Sequence, residues 1–207
     1  MKQKINSGLN LLVLAGLTLL SACVGPQSKS QDSATYLLSA TFPSKPSNAK
    51  SANTLLVSPM RAHPGFDTPR MAYLREPNRL EYYAYNRWVE APARMLTPLL
   101  TQALEAGGAF SAVAQAPGSV HTQLRLDTEL VNISQDFSVK PSRMRLVLRA
   151  QLIDADSQTI RASHVFEVLA PAASEDARGG VEAVNRSLPD ILTRLAEWVA
   201  QASANRP

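Results

Sequence analysis

MAYLREPNRLEYYAYNRWVEAPARMLTPLLTQALEAGGAF, residues 71–110, carries both kinds of regular structure in one run. Met71 to Leu74 predicts a short strand, Glu76-Pro77-Asn78 a turn, and Leu80 to Val89 a longer strand rich in tyrosine. A helix then begins near Ala91 with Pro92 in its first turn, where a missing N–H costs nothing. Met95, Leu96, Leu99, Leu100, Ala103 and Leu104 recur at helical spacing and form one apolar face. Gly107-Gly108 ends the helix in the left-handed conformation that glycine adopts freely. Pro98 lies inside this pattern and either kinks the helix or marks its true start after Thr97.

Downstream, strands dominate. Phe110 to Ala114 is short and gives way to Pro117-Gly118. Gln123 to Ile133 alternates through Leu124, Leu126 and Leu130, then changes phase at Val131 and Ile133, which predicts a bulge. Arg143 to Ile153 alternates most cleanly: Met144, Leu146, Leu148, Ala150 and Leu152 fall on one face, Arg143, Arg145 and Arg149 on the other. The loop from Asp154 to Gln158 leads into a strand from Thr159 to Val168. A hairpin centred near Asp156 sets Arg145 opposite Glu167 and Leu146 opposite Phe166, and turns His164 inward opposite Leu148. The three arginines read as a solvated sheet face rather than a partner surface, since an exposed Arg–Glu pair contributes only about 0–1 kcal/mol. Ser174-Glu175-Asp176 predicts a helix start with a cap and acids in its first turn. Val181, Val184, Leu188, Ile191, Leu192, Leu195 and Val199 then mark one long face, which Pro189 should bend.

Upstream, Thr54 to Ser58 predicts a strand buried on both faces and stopped by Pro59, and His63-Pro64-Gly65 marks a loop from Arg61 to Pro69. Phe42 to Asn53 is a loop rich in Pro, Ser and Lys, and Thr35 to Ala40 a short strand. The economical arrangement is α+β in two layers: a mainly antiparallel or mixed sheet packed on one side by two helices, in a single domain spanning residues 34–203.

The N-terminus adds an address. Lys2 and Lys4 precede an apolar stretch from Leu9 to Leu20, the layout of a secretory signal. That stretch is shorter than the roughly 20 apolar residues a spanning helix needs. Leu20-Ser21-Ala22-Cys23 looks like a bacterial lipobox, so residues 1–22 read as a lipoprotein signal peptide and Cys23 as the lipidated first residue of the mature chain. The competing reading is an ordinary secreted protein with Cys23 near the cut by chance. An acyl chain contributes about 0.8 kcal/mol per buried methylene, so more than one chain holds firmly. Val24 follows the cysteine where an aspartate would retain a Gram-negative lipoprotein at the inner membrane, which favours the outer membrane with the domain facing the periplasm. Residues 23–33 form a polar, aperiodic tether that spans at most about 35 Å.

Composition narrows the function classes. The net charge of +4 includes Lys2 and Lys4, so processing leaves +2, and no basic cluster is interleaved with aromatics. Nucleic-acid binding has little support. Cys23 is the only cysteine, so acylation leaves the mature domain without a disulfide. His63, His121 and His164 stand far apart and match no short metal-binding signature. Neither G-x-S-x-G nor a second cysteine is present, and Gly107-Gly108 closes a helix where a phosphate-cradling loop must open one. No catalytic residue, metal or cofactor is expected, and no enzyme.

Residues 71–110, with a tyrosine run, Arg87-Trp88, Glu90, Pro92 and a Leu-rich helix ending before Phe110, resemble the ABC-type transport auxiliary lipoproteins, the paraquat-inducible protein C-like family. The early Tyr-x-Leu strand after the lipobox, Leu55-Leu56-Val57-Ser58-Pro59 and the C-terminal helix near Trp198 fit as well. The resemblance implies a non-enzymatic outer-membrane component of an ABC transport system whose MCE protein spans the periplasm and carries lipid. It also implies docking of that MCE protein, with a homo-oligomeric ring as the candidate form. Tyr83, Tyr85 and Arg87 are the candidate partner-binding residues, because Tyr and Arg are frequent in binding hot spots. Leu80, Tyr82, Ala84 and Trp88 share the other strand face, with Trp88 read as core. The alternatives are an envelope assembly lipoprotein unrelated to lipid transport and an envelope hydrolase with an unrecognised site.

Overall fold

The structure, a computed structural model, describes residues 33–43, 51–118 and 122–204. Expectations that fall on residues 1–32 (the signal segment, Cys23 and most of the tether), on 44–50 and on His121 lie outside the described residues. From Ser33 onward the chain forms one compact unit. Its elements run β1 (Ala34–Tyr36), β2 (Ser51–Val57), β3 (Arg61–Ala62), β4 (Arg70–Leu74), β5 (Leu80–Trp88), α1 (Pro92–Gly107), β6 (Phe110–Gln115), β7 (Leu124–Asp136), β8 (Arg143–Asp154), β9 (Ile160–Pro171) and α2 (Ala177–Ala204).

The strands make one mixed sheet with β7 as its spine. Along one edge β7 pairs antiparallel with β8, and β8 with β9. Its other edge is divided among three parallel partners: β2 against Leu124–Leu126, β3 against Glu129–Leu130 and β4 against Ser134–Asp136. Beyond these, β6 runs parallel to β2, β5 antiparallel to β4, and β1 parallel to β5. Thus β9 and β1 lie at opposite edges of the sheet.

Both helices cover one sheet face, as the apolar periodicity requires. Leu124, Leu126, Leu130, Leu146, Leu148 and Leu152 share a core with Leu96, Leu100 and Leu104 of α1 and with Leu188, Leu192 and Leu195 of α2. Each such leucine contributes roughly 1.5–3 kcal/mol by leaving water, which is what holds the two layers together. The phase change in β7 is a bulge: Leu130 faces Leu148 while Asn132 faces Val147, leaving Val131 unopposed.

Helix α1 starts at Pro92 and runs unbroken through Pro98. Pro98 cannot donate to the Arg94 carbonyl, but both residues sit on the exposed side, where water can take that bond. Gly108 caps the helix at φ 63°, its N–H donating to Glu105 O at 3.0 Å. Asp176 caps α2, accepting the Gly179 N–H at 2.8 Å, and Ser174 Oγ donates to the same carboxylate. The acids therefore precede the first turn rather than lie in it, and Glu175 turns away to accept the Ser142 N–H at 2.8 Å.

Three further expectations are corrected. The loop expected from Arg61 to Pro69 contains the short strand β3, recruited by the open middle of β7. Regular pairing in β1 ends at Tyr36 rather than Ala40; from there Asn185 of α2 takes over, donating to Leu37 O at 3.0 Å and accepting the Ser39 N–H at 3.1 Å. The β8–β9 register is displaced by two residues, so Arg145 faces Leu169, Leu146 faces Val168 and His164 faces Ala150. One residue of the displacement comes from a later turn centre, where Ile153 faces Ile160, and one from Arg161, unopposed between that pair and Leu152–Ala162. Arg161 bulges because its guanidinium folds back onto the Asp154 carboxylate, which also accepts the Ser157 N–H at 2.9 Å. A displacement of two preserves faces, and Glu167 still reaches Arg145 diagonally at 2.7 Å.

Candidate functional site

The sequence-derived candidates lie on β5, and its pairing decides where they point. Leu80, Glu81 and Tyr82 oppose Leu74, Tyr73 and Ala72 of β4, but the next pair joins Arg87 to Arg70. Between those pairs β4 advances by two residues while β5 advances by five, so the strict alternation of β5 is lost. Tyr83 and Trp88, of opposite parity, both turn toward the helix layer. Trp88 is 2% exposed and its backbone N–H donates to Pro69 O at 2.8 Å.

Tyr83 is half-buried against the core, its ring 4.8 Å from that of Tyr73. Its hydroxyl donates to Gln135 Oε1 at 3.0 Å, and Gln135 Nε2 donates to Ser142 Oγ at 2.9 Å. Burial, with Asp176 nearby, pushes the Tyr83 hydroxyl above the ordinary phenolic range. This polar cluster lies beneath the start of α2, where a Cβ on Gly180 would come within 2.4 Å of Gln135 Oε1. Tyr83 is therefore a packing residue and does not share an open face with Tyr85 and Arg87. Nor do Leu80, Tyr82, Ala84 and Trp88 form one buried face: Leu80 is 37% exposed and Ala84 is exposed. Tyr82 instead donates to Gly65 O at 2.9 Å and carries the Arg70 guanidinium 3.8 Å above its ring.

Tyr85 and Arg87 remain at the surface. Beside them are two exposed aliphatic residues that sequence reasoning did not single out, Leu37 just after β1 and Val89 just after β5. The Val89 N–H donates to Tyr36 O at 2.8 Å, which holds these two segments together. Apolar side chains at the ends of strands give no periodic signal, so their exposure could not be read from spacing.

The open face of β8 has a different character. Arg143 pairs with Asp136 at 3.1 Å, Arg145 with Glu167 at 2.7 Å and Arg149 with Glu129 at 3.3 Å. His63 also reaches Glu129, at 3.3 Å, beside a shallow polar depression of about 300 Å³ lined by Arg61, Asp127 and Gln151. His164 meets Phe166 edge to face and lies 5.9 Å from Trp198, at the exposed rim of the helix-facing side rather than deep within it. A mostly apolar cleft of about 240 Å³ separates the end of α1 from α2, lined by Phe42, Leu104, Ala109, Ala196 and Ala200. Among the described residues no three His, Cys, Asp or Glu side chains converge as metal ligands, and no helix is long and apolar enough to cross a membrane.

No curated protein matches the sequence. Among solved structures, a protein from Xanthomonas campestris is similar with a TM-score of 0.75 at 23% identity, over 83% of this chain and 97% of that one. A second, described only as an uncharacterized protein, reaches a TM-score of 0.63 at 10% identity, over 82% and 99%. Both are likenesses of fold, and they share the α+β architecture described above. The family model for the ABC-type transport auxiliary lipoprotein component matches residues 36–196, from β1 through most of α2. The chain belongs to the ABC-type transport auxiliary lipoprotein family.

Proposed function

We propose that this protein is an outer-membrane lipoprotein, anchored through Cys23 and facing the periplasm, that docks the periplasm-spanning MCE protein of an ABC lipid transport system. Membership of a transport auxiliary family carries this reading and supports a non-enzymatic role. The Leu-Ser-Ala-Cys sequence ahead of the family match supports the anchor, and Val24 in place of an aspartate supports the outer membrane. A tether of at most about 35 Å keeps the domain beside its own leaflet, so a partner rooted in the opposite membrane must cross to reach it. A ring of several copies is the form in which such a station would receive a tube.

The test is co-purification of the full lipidated chain from detergent-solubilised envelopes. An MCE-domain protein recovered with it, in a complex whose mass requires several copies, is the expected result. Recovery of outer-membrane assembly factors without any MCE protein would replace this reading with the assembly one.

A further inference from the structure

Arg70 and Arg87 oppose each other directly across the β4–β5 ladder, and both are exposed. Neither makes an ion pair with a described carboxylate. The acid nearest Arg87 in sequence is drawn elsewhere: Glu90 binds Arg94 at 2.8 Å and the Ala91 N–H. Like charges opposed on a ladder repel, so this corner has an uncompensated demand for an anion. Arg70 is held by the Tyr82 ring, which fixes its position without neutralising it.

Two further features meet at the same corner. Leu37 and Val89 are each 58% exposed, at the ends of the paired strands β1 and β5. The chain also enters the described domain here, at Ser33 just ahead of β1, and Thr35 faces Arg87. We propose that this corner rests on the leaflet that holds the lipid anchor, with anionic phospholipid headgroups at Arg70 and Arg87 and with Leu37 and Val89 in the interfacial layer. Basic side chains beside an anchor gain from anionic lipid, and a second attachment turns a tethered domain into an oriented one. The opposite sheet edge lacks this combination: Val165 and Leu169 are exposed on β9, but the facing Arg149 and Arg145 are already paired with glutamates. The proposal rests on the anchored reading above and adds which face meets the membrane.

The test uses the full lipidated chain in phosphatidylcholine vesicles with and without phosphatidylglycerol. Because Cys23 carries the lipid, Leu37→Cys, Val89→Cys and, as control, Val165→Cys each accept one environment-sensitive dye. With phosphatidylglycerol present, the dyes at 37 and 89 should shift to the blue and resist acrylamide quenching severalfold better than the dye at 165. Arg70→Gln with Arg87→Gln should remove that protection while leaving the melting temperature unchanged. Dyes at 37 and 89 as accessible as at 165, in protein that floats with the vesicles, would overturn the orientation and leave the anchor standing. Protection that grows with protein density and ignores phosphatidylglycerol would give the corner to a second copy and likewise overturn it. Failure to float with vesicles would remove the anchor and this inference with it. Recovery of the MCE protein reports separately on the docking reading.

Discussion

The two sides of the sheet, either side of its β7 spine, treat arginine in opposite ways. On β8, Arg143, Arg145 and Arg149 each meet a carboxylate on a neighbouring strand, and that face is closed upon itself electrostatically. On β4 and β5, Arg70 and Arg87 face each other with only a tyrosine ring for company, over a strand whose alternation has been broken. The first arrangement pins strand register and asks for nothing outside. The second seats Arg70 on the Tyr82 ring, above a strand anchored in the core by Trp88, while leaving both charges without an ion pair. A well-packed underside beneath an unsatisfied surface is what an interaction site requires.

That contrast can be broken first at Trp88. Trp88→Ala should destabilise the domain by about 3–5 kcal/mol in urea unfolding, because a fully buried indole leaves a large cavity. A loss below about 1 kcal/mol would mean the corner is not tied into the core. Next, Gly180→Ala should cost about 1–3 kcal/mol, since the added methyl would displace the Gln135 side chain that holds Tyr83 and Ser142. A wild-type melting temperature would show that this cluster does not fix the start of α2.

Acid probes the cap of the same helix. The Asp176 carboxyl is held below its usual range, first by the Gly179 N–H and then by the Ser174 hydroxyl. A depressed carboxylate contributes its full stability above the unfolded value of 3.8 and loses it as pH falls below that, through the folded value. Asp176→Asn can still cap but cannot titrate, so its stability should fall less steeply than wild type below about pH 4. Parallel acid profiles would remove Asp176 from the account. The smallest effect sharpens the comparison directly. Arg145→Ala should cost about 0–1 kcal/mol through its lost partner, whereas Arg87→Ala should cost nothing or stabilise slightly by relieving Arg70. Equal losses in thermal denaturation would erase the distinction between the two sides of the sheet.

What could be read beforehand was what depends on one segment at a time. The apolar face of α1 with its Gly108 cap, the alternation of β8 and the bulge at Val131 all follow from local spacing. Tyr83 packs against the core where simple alternation puts it outside, because the break in β5 comes from β4, whose two residues span five of its neighbour's. The hairpin register differs by one residue because the turn centres later, and by one more because Arg161 prefers the Asp154 carboxylate to its place in the ladder. Nothing in the apolar run of β7 reveals that it serves three separate parallel strands. For the candidate site, the exposure of Tyr85 and Arg87 was legible, but the meeting of Arg87 with Arg70 was not, since it exists only in the folded register.

Asn185 gives the domain a mechanical property. Under the anchored reading proposed above, a pull on the domain would be resisted by the N-terminal attachment, and the load would arrive at Ser33. Beyond Tyr36 that load passes through Leu37 and Ser39 to one asparagine on the 28-residue helix α2, which packs across the sheet. Tension therefore meets the three-residue strand β1 first, and Asn185 ties the chain just beyond it to the longest helix, where peeling of that strand would be stopped.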